Sequence, residues 1–272
     1  MPLAHPPVPG SALWVHTHPR RESLGGHLFR AGTEALSRTR TLHTSDLYSQ
    51  RFDPVFGPSD LGPDPDAPGN LAVQAGRASQ EGMASPEVLA EQAKLADAEL
   101  LILQFPLWWY GPPAVLKGWI DRVFTEGFAY DGTLDPESGM PRRYGDGGLA
   151  GRRALVIVTA GDDSRTLGPR GLSGDLDALL FPLTHGALWY VGIDVLDLHV
   201  IHDADGLDAE GVGRETERLL TRLDGLAGEQ PIPYRRLRDG DYPHDLRALD
   251  PVLLPGRSDL EIHREPAPHL AR

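Results

Sequence analysis

The chain has no cysteine among its 272 residues. That excludes disulfides, thiolate nucleophiles, iron–sulfur clusters and cysteine-ligated zinc. Lysine is almost missing as well: Lys94 and Lys117 are the only two, and arginine carries the rest of the positive charge. The formal net charge is -13, which argues against a nucleic acid or an anionic membrane as the main partner. No stretch approaches the roughly 20 apolar residues that a membrane span needs. The opening MPLAHPPVPGSA lacks the basic and apolar regions of a leader peptide, so a cytoplasmic protein without membrane insertion is expected. Neither a GxGxxG turn nor a GxxxxGK(S/T) loop follows the first apolar run, which weighs against a Rossmann dinucleotide domain and a nucleotide triphosphatase.

What is present is ordinary for a folded soluble protein: 40% hydrophobic and 24% charged residues. The length fits one large domain, or one domain with an appendage. The proline-rich residues 1 to 10 are expected to be disordered. Ala12 to Val15 then reads as a short buried strand, and Leu24, Leu28, Ala31, Ala35 and Leu36 fall at helical spacing. Arg40 to Thr44 forms a second candidate strand. After it, GPSDLGPDPDAPGN lies in a segment read as irregular to about residue 84. Ser85-Pro86-Glu87 has the marks of a helix start: a capping residue, proline at the first helical position and an acid in the first turn.

Leu100 to Leu103 is a continuous apolar run, as expected of a strand buried on both faces. A helix is expected from Gly111, a strand over Ala154 to Val158, a helix over Leu176 to Trp189, a strand over Val195 to Val200 and a last amphipathic helix over Glu210 to Leu226. The alternation βαβαβαβαβα predicts a parallel sheet with helices on both faces. Trp14, in the first strand, and Trp119, at helical spacing with Leu116, Ile120 and Phe124, are assigned to the core.

In such a sheet, ligands bind beyond the carboxyl ends of the strands. Three segments leave those ends: His16 to Ser23, Pro106 to Gly111, and Thr159 to Arg165. The first suits an anion, with Ser23 placed to cap a helix and His18, Arg20 and Arg21 as further donors. His16 and His18 could also form a metal pair, but no third ligand accompanies them, and no metal site is assigned. Asp203-Ala204-Asp205-Gly206 lacks the register of a calcium loop and reads as a solvated turn.

Gln104 to Phe124, QFPLWWYGPPAVLKGWIDRVF, followed by Phe128-Ala129-Tyr130, resembles the signature of the NAD(P)H:quinone oxidoreductases of DT-diaphorase type. The resemblance extends to His18-Pro19 with Ser23-Leu24, to Asp46-Leu47-Tyr48 with Phe52 and Pro54, to Ser85-Pro86 with Ala90-Glu91-Gln92, and to Thr159-Ala160-Gly161. It covers about residues 12 to 226. It implies a flavodoxin-like fold: a doubly wound five-stranded parallel sheet with helices on both faces, spanning residues 11 to 226.

The resemblance also implies a tightly bound flavin, FAD or with FMN as the alternative, and NAD(P)H as co-substrate. By it, His18, Ser23, Leu24 and Gly25 would hold the pyrophosphate side, although the family usually has asparagine where Gly25 stands. Pro106, Leu107, Trp108, Trp109 and Tyr110 would wrap the isoalloxazine. Thr159, Ala160, Gly161 and Asp162 would close the opposite edge with backbone N–H groups near the flavin N1/O2 region, Tyr130 would line the pocket shared by nicotinamide and quinone, and Tyr130 and Gly161 would be the catalytic residues. Hydride transfer is the cofactor's chemistry, so a flat floor and oriented donors suffice, without paired carboxylates. One departure concerns a tyrosine and a histidine that mammalian members use to stabilise charge; Leu167 and Ser173 stand there. Arg165, Arg170 and His185 are candidates to compensate, with backbone donors alone as the alternative, and Tyr144, in the glycine-rich stretch 131 to 151, is a further pocket candidate.

Residues 227 to 272 are rich in proline and arginine and are expected to wrap the domain or a partner subunit. The resemblance implies a homodimer whose sites are completed by the neighbour. The leading function is ping-pong hydride transfer from NAD(P)H through FAD to a quinone-like acceptor. The alternatives are a regulatory flavoprotein subunit of a potassium efflux system and a flavodoxin-type electron carrier.

Overall fold

The computed structural model describes residues 4–136, 139–243 and 248–266. Strand β1 (Ser11–His16) is buried along its whole length, and Ser23 caps the following helix α1 (Leu24–Leu36) by accepting from the Gly26 N–H. Strand β2 is Thr41–Asp46. Helix α2 (Leu71–Gln80), capped by Asn70, occupies part of the segment expected to be irregular. Its start was obscured because PDPDAPGN breaks the pattern immediately before it, and Leu71 and Val73 are exposed. Helix α3 (Pro86–Asp97) starts after Ser85, whose backbone holds the capping position while its side chain makes no capping hydrogen bond.

Strand β3 (Leu100–Pro106) leads through the aromatic loop to α4 (Ala114–Val123). An antiparallel hairpin, β4 (Asp131–Leu134) with β5 (Pro141–Arg142), projects from the glycine-rich stretch. Strand β6 (Arg153–Thr159) follows. The single helix expected over 176 to 189 is divided into α5 (Leu176–Leu179), α6 (Phe181–Leu183) and a π-helical turn over Thr184–Trp189. Pro182 lies at the break, where it cannot donate to the preceding turn. Two short strands, β7 (Asp194–Val195) and β8 (His199–Ile201), replace the one expected, and α7 (Ala209–Gly225) closes the series.

All strands of the main sheet are parallel, in the order β2-β1-β3-β6, with the start of β6 paired to β7 and its end to β8. The fifth position in the sheet is thus filled by one interrupted strand. This is the expected flavodoxin-like doubly wound architecture. One apolar layer contains Trp119 and the α4 face; the other contains Trp14, α1 and α7. Both tryptophans are fully buried, as assigned from their spacing.

Described segments on either side of the sheet domain lie against this body. Residue 4 onward carries hydrogen bonds: Ala4 N–H donates to Phe128 O and Val8 N–H to Asp97 O. Beyond α7, Ile232 N–H donates to Val195 O, and Ile232, Tyr234 and Arg235 are buried. Among the described residues, no helix is long and apolar enough to cross a membrane.

Candidate active site

The parallel register aligns the carboxyl ends of β1, β3 and β6, so His16 pairs with Gln104 and Pro106 with Thr159. The three loops leaving those ends are therefore brought side by side, and specific contacts hold them together. Leu107 N–H donates to Thr159 O at 2.8 Å. The His18 and Trp108 rings lie 6.4 Å apart. Tyr110 Oη is 3.2 Å from Ser173 Oγ, which donates to Asp162 Oδ2 at 3.0 Å.

In the first loop, Ser23 Oγ donates to Arg20 O and accepts from Gly26 N–H at 3.0 Å. The turn is so tight that a β-carbon at Gly26 would lie 2.0 Å from Arg21 O. At Gly25, by contrast, an added β-carbon meets only ordinary contacts, with His16 Cε1 at 3.6 Å. His18 Nδ1 lies 3.0 Å from both Arg20 N and Arg20 O, which ties its ring to the loop backbone. Leu24 packs inward on the α1 and α7 layer.

Gln104 ties this loop to the sheet: Trp14 Nε1 donates to its Oε1 at 2.9 Å, and its Nε2 donates to Gly25 O at 2.8 Å. Its signal in the sequence was only a lone polar residue after an apolar run. His16 is buried, stacked on Phe29 at 4.7 Å between ring centres. Burial pushes its imidazole down to about 4, against the opposing effect of Asp46. Among the described residues, no group of three or more histidine or acidic side chains could hold a metal ion.

In the second loop, Trp108 and Gly111 exchange both backbone hydrogen bonds at 3.1 Å, closing a turn whose central residues Trp109 and Tyr110 have φ of 50° and 61°. This pairing matches a type I′ turn, which ordinarily favours glycine or asparagine. The side chains consequently stand outward: Trp109 is 96% exposed, and Trp108 and Tyr110 are partly so. In the third loop Ala160 N–H donates to Ile201 O. Asp203-Ala204-Asp205-Gly206, read as a solvated turn, packs on it through Asp203 N–H to Asp162 O and Ala204 N–H to Ala160 O. A β-carbon at Gly161 would lie 3.0 Å from Asp205 Oδ2. Among the described residues, the N–H groups of Trp109, Tyr110, Gly161 and Asp162 donate to no protein acceptor.

This set fits a flavin: exposed aromatic side chains, free backbone donors on two sides and a capped helix N-terminus for phosphate. His18, Ser23, Gly25, Pro106 to Tyr110 and Thr159 to Asp162 are thus gathered on one edge of the sheet. Tyr130 is elsewhere in the chain. It lines a cavity of about 240 Å³ with Phe56 and Phe124, none of it from the three loops, and its ring is edge-on to Tyr190 at 5.4 Å. Burial, with Tyr190 and Glu126 nearby, pushes its phenol up.

Of the two relay positions, Leu167 is buried in the core, whereas Ser173 reaches the site through Tyr110 and Asp162. Arg165 is exposed and pairs with Asp163, holding that carboxyl well below the usual range. His185 lies between Phe181 and Tyr144, stacked on both.

A family model described as flavodoxin-like fold matches residues 11–223. Ribosyldihydronicotinamide dehydrogenase-like protein traD of Penicillium crustosum is 36% identical over 235 residues, 85% of this chain and 86% of the relative. NAD(P)H dehydrogenase (quinone) 1 of Rattus norvegicus is 32% identical, covering 81% of this chain and 79% of the relative. A crystal structure of a protein assigned as a quinone reductase, from Klebsiella pneumoniae, superposes with a TM-score of 0.88 at 38% identity, over 94% of this chain and 99% of the other.

Proposed function

The chain belongs to the flavodoxin-like family of quinone oxidoreductases, and on that premise we propose that it binds FAD and reduces a quinone-like acceptor with NAD(P)H by a ping-pong mechanism. The observation that carries the reading is the meeting of the three strand-end loops through His18 and Trp108, Leu107 and Thr159, and Tyr110, Ser173 and Asp162. When bound, the flavin supplies the hydride chemistry, accepting from reduced nicotinamide and donating to the acceptor.

The chain's own residues do the rest. Ser23 fixes the α1 N-terminus toward the phosphates, with the His18 ring as a further donor. Leu107 to Tyr110 hold one face and edge of the ring, and the free N–H groups of Gly161 and Asp162 stabilise negative charge on the other edge. With leucine and serine at the relay positions, backbone donors carry that charge, and Ser173 serves to position Tyr110 against the third loop. Tyr130 takes its role across a homodimer, completing the neighbour's pocket. The exposed Trp109, and Leu172 at 97% exposure beside Ser173, are the surfaces that this pairing would cover. The same reading has the enzyme act in the cytoplasm.

The test is to denature the purified protein and identify the released cofactor by chromatography. FAD in near-stoichiometric amount is expected. A protein that carries no flavin, and binds neither FAD nor FMN on addition, would contradict the proposal.

A further inference from the structure

Two polar side chains are sealed beneath the start of α1, and the flavin reading has so far used neither. Gln104, near the end of β3, and His16, the last residue of β1, are 1% and 2% exposed. They meet at one point of the first loop: a β-carbon at Gly25 would lie 3.6 Å from His16 Cε1 and 3.8 Å from Gln104 Nε2. Both polar atoms of the Gln104 side chain are engaged. Because Trp14 Nε1 only donates and Gly25 O only accepts, the amide orientation is fixed, with Oε1 toward Trp14 at 2.9 Å and Nε2 toward Gly25 at 2.8 Å. His16 differs, its Nδ1 being buried without a hydrogen-bond partner. Such a nitrogen is costly unless something seated on the loop satisfies it.

Gln104 also holds the other end of the loop, since its carbonyl accepts from Thr17 N–H at 3.0 Å and from Thr17 Oγ1 at 3.1 Å. The span from Thr17 to Gly25 is thus fastened at both ends to one residue of the sheet. Within it, Ser23 occupies the Gly26 N–H with its side chain and the His27 N–H with its carbonyl. The N–H groups of Leu24 and Gly25 donate to no protein acceptor among the described residues. They are the donors left for an anion. The adjacent glycines, Gly25 and Gly26, are the most conformationally free backbone available, and the hydrogen bond to Gly25 O restrains them in the helical turn.

We propose that Gln104 is the positioning residue for the flavin phosphate: by holding Gly25 O it keeps the Leu24 and Gly25 N–H groups aimed at that phosphate, so that flavin recognition depends on the phosphate as well as on the ring. This rests on the flavin reading above. Gln104 itself touches no phosphate and acts only through the backbone that it holds.

The test is fluorescence titration of the full-length protein, freed of flavin, with FMN and with riboflavin, which differ only in the phosphate. Charge-assisted hydrogen bonds predict a wild-type preference for FMN of about tenfold or more. Gln104→Met fills the space without adding charge and removes both side-chain hydrogen bonds. It should lose about fivefold or more in FMN affinity and leave riboflavin affinity unchanged. Gln104→Glu keeps the acceptor for Trp14, and only its protonated carboxyl restores the donor to Gly25, which makes it a second variant with its own rescue. Burial raises such a carboxyl, so its FMN affinity relative to wild type should be low at about pH 8 and recover at about pH 5.5, with no recovery in the methionine variant. A wild-type protein that binds no flavin would contradict the functional reading and this inference with it. Where wild type does bind flavin, equal affinity for FMN and riboflavin, an FMN preference that survives in a folded variant, equal losses of both ligands, or a glutamate variant that fails to recover would overturn the role of Gln104 alone.

Discussion

Three histidines are packed where an imidazolium is unfavourable. His16, His185 and His199 are buried, and burial lowers them from 6.5 to about 4, 4 and 3, with Arg218 and Arg222 adding to the effect at His199. Neither ring nitrogen of His199 has a hydrogen-bond partner. Below their ordinary value the unfolded chain binds protons that the folded chain refuses, so stability rises with pH across that window. It is therefore fully present above about pH 6.5 and is lost as pH falls toward about 4 for His16 and His185 and toward about 3 for His199, each site contributing on the order of 1–3 kcal/mol. Urea unfolding across that range should show the loss, and His199→Leu should both raise stability and flatten the acid limb. An unchanged acid limb in that variant would contradict the assignment.

The aromatic turn after β3 shows a conflict between local preference and site geometry. Two bulky residues in succession occupy the left-handed region, at a cost of about 1–3 kcal/mol each. Trp109 is almost wholly exposed, so it recovers none of that cost by burial within the protomer. Trp109→Gly should therefore raise the thermal midpoint of the flavin-free protein while weakening flavin retention, read by the fraction of cofactor lost on gel filtration. A variant that loses stability, or keeps its flavin equally well, would argue that the turn does not serve the ring.

How much of an element was legible depended on how locally it is encoded. Leu100 to Leu103 and Ala154 to Val158 announced buried strands because both of their faces are covered, leaving no polar alternation. Helix α2 was not legible, because it follows a breaker-rich stretch and its core contact rests on small residues, Ala75, Gly76 and Ala78. The hairpin over 131 to 142 was hidden in a glycine-rich run. Ser173 was recognisable only as a histidine that is missing. Its contacts with Tyr110 and Asp162 arise from the parallel register, which brings the loops after β3 and β6 together.

On the scale of the whole molecule, the start of the C-terminal extension, Ile232 to Arg235, is built into the core. Tyr234 is buried against the π-helical turn, its hydroxyl donating to Thr184 Oγ1 at 2.9 Å, and Trp189 Nε1 donates to Arg235 O. Tyr234→Ala removes a buried ring and leaves a cavity, so a loss of about 3–5 kcal/mol is expected in urea unfolding. A cost below about 1 kcal/mol, the range of an ordinary surface change, would mean that the extension is dispensable to the fold.

The proposed function makes one central claim: the carboxyl edge of the sheet is a flavin site through which NAD(P)H reduces a quinone. The most direct measurement is the absorbance of the flavin-loaded protein under anaerobic conditions, first with NADPH or NADH and then with a quinone. The account predicts that the nicotinamide bleaches the long-wavelength flavin band and that the quinone restores it in a separate step. A bound flavin that neither nicotinamide reduces, or that a quinone fails to reoxidise, would contradict it.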